Sequence, residues 1–166
     1  GTDTLNPLTT SVGNVNLKNP VMLASGTAGH GTELSSVTDL SGVGALVVKS
    51  LSAYEWEGNS APRLHETPNG MINSIGLQGP GLSYWMEDIL PQLIDKEITV
   101  VLSIWGRTIE DYAAAADLCS DLPKAVKAVE LNISCPNVED RGKMFSHTPA
   151  STCLLYTSDA ADEGFC

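Results

Sequence analysis

Four short apolar runs, each closed by a polar residue, constrain this chain more than any other feature. They occupy residues 21–24, 45–49, 99–104 and 126–133, and helical or Gly- and Pro-rich stretches separate them. Runs so short and so continuously apolar suit strands covered on both faces, as in a parallel sheet. Between them, residues 32–40 and 108–120 read as helices, the second opening on Thr108 with Glu110 and Asp111 in its first turn. Residues 80–95 read as a third helix, with Pro80 near its start and a kink or new segment at Pro91. Residues 51–79, which hold Pro62, Pro68, Gly70, Gly76 and Gly79, are expected to be irregular. Ahead of the first run, residues 9–17 alternate about Gly13-Asn14, a turn-favouring pair, and are expected to form a hairpin. Strand–helix alternation of this kind implies parallel βαβ units. Polar residues close every run: Ser25, Lys49, Ser103 and the stretch from Asn132 to Cys135. In a (β/α)8 barrel that edge is where sites are built. The pattern alone admits a barrel or an open doubly wound sheet, although no GxGxxG follows the first run.

Charge and cysteine content narrow the function classes. Nine basic residues against twenty acidic ones leave a net charge of −11 on 166 residues. Such a surface repels phosphate backbones and argues against binding nucleic acid or an anionic membrane. The apolar runs are far too short to span a bilayer. The first residue is Gly1, and no basic-plus-apolar leader precedes the first strand. Cys119, Cys135, Cys153 and Cys166 form no CxxC pair and have no histidine at zinc spacing. A reducing cytoplasm is therefore the expected location, and no metal is expected.

Two residues stand out chemically. Cys135 follows the fourth run and precedes Pro136 and a loop of glycine and charged residues, where a thiol can be partly exposed and meet a ligand. A thiol with an ordinary pKa of about 8.5 can be tuned to act as a base toward a C–H proton. Lys49 closes an apolar strand, where a positive charge is costly unless an anion meets it.

Three stretches carry a family resemblance. They are Ala24-Ser25-Gly26; Val48-Lys49-Ser50 followed by Asn73-Ser74-Ile75-Gly76-Leu77; and Glu130-Leu131-Asn132-Ile133-Ser134-Cys135-Pro136-Asn137. In this order and spacing the chain, from about residue 8 to 149, resembles the class 1 dihydroorotate dehydrogenases, B-type catalytic subunits above all. The resemblance implies an α/β fold: the first half of a (β/α)8 TIM barrel, about four parallel strand–helix units, after an N-terminal β-hairpin. Residues 1–150 would be that half-barrel, and side chains such as Val21, Leu23, Val47 and Leu131 would face the barrel interior. It further implies an FMN-dependent oxidation of dihydroorotate to orotate in pyrimidine biosynthesis. Cys135 would remove the C5 proton while the C6 hydride passes to flavin N5. Lys49 would touch flavin and substrate; Asn132 likewise. Asn73 and the backbone around Ser74, Ile75, Gly76 and Leu77 would hold substrate, and Ser25, Ser50 and Ser103 would contact the flavin. Ser103 departs from the family, many members of which carry Asn there. The implied partners are the small-molecule substrate, a second copy of the chain in a homodimer and, for a B-type enzyme passing electrons to NAD, an FAD and iron–sulfur electron-transfer subunit; A-type members act alone with fumarate, and the sequence leaves the acceptor open.

Other readings remain open at this stage. Dihydropyrimidine dehydrogenases share an Asn-x-Ser-Cys-Pro loop, but a His usually follows the Pro where this chain has Asn137. A non-catalytic barrel subunit would need no ionisable group at Cys135. Trp56, Trp85 and Trp105 read as packing or surface aromatics, and His30, His65 and His147 have no assignable role. From Cys153 to Glu163 the run resembles the translation of a transposon-end adapter. Residues 151–166 are therefore expected to be a non-native tail that packs little, and the later flavin-phosphate half of a barrel to lie outside this sequence.

Overall fold

The computed structural model describes residues 7–135 and 144–156. Its centre is a four-stranded parallel sheet in the order β3-β4-β7-β8, with strands Met22–Leu23 (β3), Ala45–Val47 (β4), Val100–Ile104 (β7) and Val126–Leu131 (β8). The register pairs Leu46 with Val100, Val47 with Val101 and Ile104 with Leu131. Consecutive strands lie side by side and run the same way, so all four C-terminal ends share one edge. This α/β parallel sheet with a leading hairpin is the arrangement the apolar runs imply.

The period of two along each strand divides the core into two faces. Leu46, Val48, Val100, Leu102 and Ile104 face the helices and pack with Leu82, Trp85, Leu90 and Leu93. Ala45, Val47 and Val101 face the other way and meet Leu17. Leu17 belongs to the hairpin of Thr10–Val12 (β1) and Val15–Leu17 (β2), which turns at Gly13 with φ +55° and covers that face. Val47 thus lies on the hairpin side. Leu23 and Leu131 instead pack against the helix-side core, and Val21 is exposed.

Several local expectations are corrected. The helix expected over 32–40 spans only Thr32–Ser35 (α1). Glu33 starts it by accepting from the backbone N–H of His30 at 3.0 Å and of Gly31 at 3.1 Å. It ends at Ser35, beyond which the Val37 N–H tightens onto the Leu34 carbonyl at 3.1 Å, and Asp39 then makes a separate turn by accepting from the Ser41 N–H at 2.8 Å. The stretch 51–79 is not wholly irregular: Leu64–Thr67 (β5) and Gly70–Asn73 (β6) form an antiparallel hairpin about Pro68-Asn69. The third helix, by contrast, is interrupted near Pro91 as expected, running Leu82–Tyr84 (α2), a π-helical turn at Trp85–Ile89, then Leu90–Asp95 (α3). Pro91 has no N–H for the carbonyl four residues back, and the wider turn falls just before it. Ile109–Leu118 (α4) forms as expected, the Thr108 hydroxyl accepting from the Asp111 N–H at 3.2 Å. Finally, Pro149–Tyr156 (α5) is a helix, and its Leu155 is 1% exposed against Trp105 and Tyr112. The expectation that residues from 153 onward pack little fails at Leu155. No described helix is long and apolar enough to cross a membrane.

Candidate functional site

The shared strand edge assembles a hydrogen-bonded chain of polar groups. Ser103 lies in β7 on the same face as Val101, and its hydroxyl meets that of Ser50 at 2.8 Å. Both serines are buried, at 0% and 2% exposure. The Ser50 hydroxyl accepts from Asn132 Nδ2 at 2.9 Å, and the same nitrogen lies 3.2 Å from Cys135 Sγ. Asn132 extends the β8 ladder by one bond, its N–H donating to the Ile104 carbonyl at 2.8 Å. Its Oδ1 accepts from the backbone N–H of Ser134 at 3.2 Å and from the Ser134 hydroxyl at 3.1 Å. A backbone N–H can only donate, so this contact fixes which end of the amide faces Ser134 and which faces the thiol.

Cys135 is half-buried and borders a cavity of about 430 Å³. The opposite wall is the segment Asn73, Ser74, Ile75, Gly76 and Leu77, with Asn59, Trp56 and Trp105 completing the lining. The segment leaves β6 through a tight turn. Gly76 has φ +76°, and a Cβ there would meet the Asn59 side chain at 2.6 Å, so only glycine fits. Leu77 is held at φ 62°, a left-handed conformation uncommon for a non-glycine residue and frequent at ligand-binding segments. Asn59 ties the segment down through Nδ2, which donates to the Ser74 carbonyl at 3.2 Å and hydroxyl at 2.8 Å. Trp56 Nε1 donates to the Gly76 carbonyl at 2.9 Å.

Lys49 lies in a neighbouring, larger cleft of about 680 Å³, lined by His30, Glu55, Trp56, Arg63 and Gln78 among others. Trp56 is the wall between the two cavities. Lys49 is half-buried and has no ion-pair partner among the described residues. Burial holds its ammonium below the ordinary range; Glu33 opposes this and Arg63 adds to it. Burial likewise pushes the His30 imidazole down, Glu33 opposing and Lys49 reinforcing, and His30 Nε2 is buried without a hydrogen-bond partner among the described residues. Ser25 stands exposed beyond β3, its hydroxyl donating to the Val48 carbonyl at 3.1 Å.

The fold therefore brings Ser50, Ser103, Asn132 and Cys135 into one network, and Cys135 and residues 73–77 onto one cavity. Lys49 opens on the adjacent cleft, and Ser25 bonds Val48, the residue that links β4 to Lys49. Pro136, Asn137 and the loop 138–143 lie outside the described residues. Sequence reasoning missed Trp56, Trp105 and Asn59 as cavity walls and His30 and Arg63 as neighbours of Lys49. Trp85, by contrast, is a core residue, its indole N–H donating to the His30 carbonyl at 2.9 Å. For Trp105 a signal existed: it sits two residues past Ser103, at the end of a strand whose edge carries the polar groups.

Comparison with known proteins agrees with this architecture. The family model for dihydroorotate dehydrogenase matches residues 7–162. The chain is 43% identical over 138 residues to the catalytic subunit of dihydroorotate dehydrogenase B (NAD(+)) from Bacteroides thetaiotaomicron, covering 83% of this chain and 45% of that protein. It is 46% identical over 142 residues to the corresponding subunit from Thermoanaerobacter pseudethanolicus, covering 86% and 46%. A protein of Aquifex aeolicus, named provisionally as dihydroorotate dehydrogenase A (fumarate), is 44% identical over 135 residues, covering 81% and 44%. The chain spans about half the length of the curated relatives it matches.

Proposed function

The chain belongs to the dihydroorotate dehydrogenase family, and from that premise we propose that it carries the substrate side of an FMN-dependent active site oxidising dihydroorotate to orotate. The observation that carries this reading is the single cavity onto which Cys135 and the segment Asn73–Leu77 both open. A thiol held beside an amide and bordering a cavity is placed to meet a ligand as a base. In the proposed reaction Cys135 Sγ takes the C5 proton of dihydroorotate, and the C6 hydrogen leaves with its electron pair. Bound FMN would supply the acceptor for that hydride. The residues fit such a group: Lys49 is half-buried with no ion-pair partner among the described residues. The backbone at Gly26 is open, nothing lying within 4 Å of where a Cβ would stand. Lys49 and Ser25 are the proposed flavin contacts, with Lys49 also reaching substrate; Asn73 and the backbone from Ser74 to Leu77 would hold the pyrimidine and its carboxylate. Ser50, Ser103 and Asn132 are already bonded to one another, so any contact they make with flavin or substrate is made from within that network.

We read the four parallel strands as the first half of a (β/α)8 barrel spanning residues 1–150, with 151–166 as a tail foreign to it. The protein would act in the cytoplasm as a homodimer with an FAD and iron–sulfur electron-transfer subunit, in keeping with the B-type names of its relatives. Residues 1–166 by themselves would be inactive, since the flavin-phosphate grip of such barrels is built on later strands. The test is anaerobic flavin bleaching in the full-length protein. Dihydroorotate should bleach the flavin and dihydrouracil should not; the reverse would assign the chain to pyrimidine reduction, and no bleaching by either would end the enzymatic reading.

A further inference from the structure

The same turn that carries Asn132 and Cys135 is fastened from behind by a residue no sequence motif singles out. Tyr112 sits in α4 at 2% exposure, and its hydroxyl donates to the backbone carbonyl of Asn132. Its ring is held edge-on by Phe145, with centroids 5.4 Å apart. α4 is itself pinned at its N-terminus, where Asp111 accepts from the Arg107 N–H at 3.0 Å and from the Tyr54 hydroxyl at 2.9 Å. The hydroxyl of Tyr112 therefore projects from a fixed helix onto the one peptide unit that leads from β8 into the Cys135 turn.

We infer that Tyr112 is a positioning residue for Cys135, acting through the Asn132 carbonyl to set the carboxamide that reaches the thiol. The geometry leaves the carboxamide little freedom once the backbone is fixed: Oδ1 is bound to Ser134, and Nδ2 is shared between Ser50 and Cys135. Release of the Asn132 carbonyl would let its peptide unit rotate. Because Nδ2 spans two acceptors at 2.9 and 3.2 Å, a small rotation forfeits the longer contact, the one to sulfur. Burial keeps the Tyr112 phenol protonated, its pKa pushed up to about 12, so the group remains a donor throughout the range in which a thiol titrates.

This inference rests on the reading of Cys135 as the base, but its test does not need turnover. In the full-length protein, iodoacetamide labelling of the peptide containing Cys135 is followed by mass spectrometry from pH 6 to pH 10. Tyr112→Phe should move the midpoint of the labelling profile to higher pH and slow labelling at pH 7 by about 3- to 10-fold, the worth of one hydrogen bond. Asn132→Ala should do the same, and Tyr112→Phe added to Asn132→Ala should cause no further change. Phe145→Leu, which loosens the ring without touching the hydroxyl, should leave the midpoint in place. An unmoved midpoint in Tyr112→Phe, an additive effect in the double variant, or an equal shift in Phe145→Leu would each overturn the inference. If Cys135 is not the base, the turnover of Cys135→Ala reveals it while the labelling result stands.

Discussion

Asn132 Nδ2 lies 3.2 Å from Cys135 Sγ and donates at 2.9 Å to the hydroxyl of Ser50, so the half-buried thiol and a fully buried serine share one amide nitrogen. The thiol is thereby tied to the hairpin-side face of the sheet through Ser50 and Ser103 rather than left on a free loop. Preorganisation of this kind is what a proton acceptor needs if it is to meet a C–H bond in one geometry.

Removal of the thiol should separate chemistry from binding. In the full-length protein Cys135→Ala should retain flavin but reduce it with dihydroorotate more slowly by a factor of about 10²–10⁴, the usual worth of a positioned base. Cys135→Ser should recover activity only at high pH, because a hydroxyl is a far weaker acid. Stopped-flow bleaching measures both, and a parental rate in Cys135→Ala removes the thiol from the mechanism.

Lys49 should behave differently, because it opens on the cleft across Trp56 from Cys135. If its ammonium meets both flavin and substrate, Lys49→Ala weakens orotate binding as well as slowing reduction. Titration of the flavin spectrum with orotate gives the dissociation constant. An unchanged value would make Lys49 a strand-end lysine with no hold on the ligand.

The site was legible in part, for physical reasons that differ from residue to residue. The strands around Leu46, Val101 and Leu102 announce themselves because they are buried on both faces, and the polar residues that end them follow from the shared edge. The β5–β6 hairpin does not, because every residue from Gly70 to Asn73 is exposed and no buried face imposes alternation. α1 is shorter than its apolar spacing suggests because the chain tightens after Ser35, the Val37 N–H bonding the Leu34 carbonyl, a local bond that apolar spacing does not encode. Tyr112 was hidden by its helix, where an aromatic on the buried side reads as packing; only the position of its hydroxyl against the Asn132 carbonyl distinguishes it.

Acid should destabilise the wall of the Lys49 cleft. His30 is pushed below its ordinary value of 6.5 chiefly by burial, with a side chain 13% exposed. The unfolded chain therefore takes up a proton near pH 6.5 that the folded one resists. His30 contributes stability above that pH and loses it as pH falls from 6.5 through the lower folded value. The Glu33 carboxyl, which burial would raise but backbone donors from Glu33, His30 and Gly31 hold below 4.5, acts in the same sense at lower pH. Between pH 7 and pH 5 the urea midpoint of the parent should fall further than that of His30→Gln. Parallel declines in the two proteins would show that His30 takes no part.

The last prediction concerns α5, whose two adjacent leucines have opposite environments. Leu155 is 1% exposed and closes the cluster of Trp105 and Tyr112, whereas Leu154 is 62% exposed. If α5 docks as the structure has it, Leu155→Ala removes a buried side chain and leaves a cavity beside Tyr112, at a cost of about 2–5 kcal/mol. Leu154→Ala should stay within about 0.5 kcal/mol. Because the sheet edges at β3 and β8 are unpaired among the described residues, self-association is to be expected. The urea midpoints of residues 1–166 must therefore be compared at one protein concentration. The loss in Leu155→Ala should be accompanied by faster amide exchange in α5 and in the first half of α4, where Ile109 and Tyr112 share its cluster. Equal and small effects of the two substitutions would mean that the segment does not dock, and that the chain from residue 151 behaves as a tail appended to the sheet.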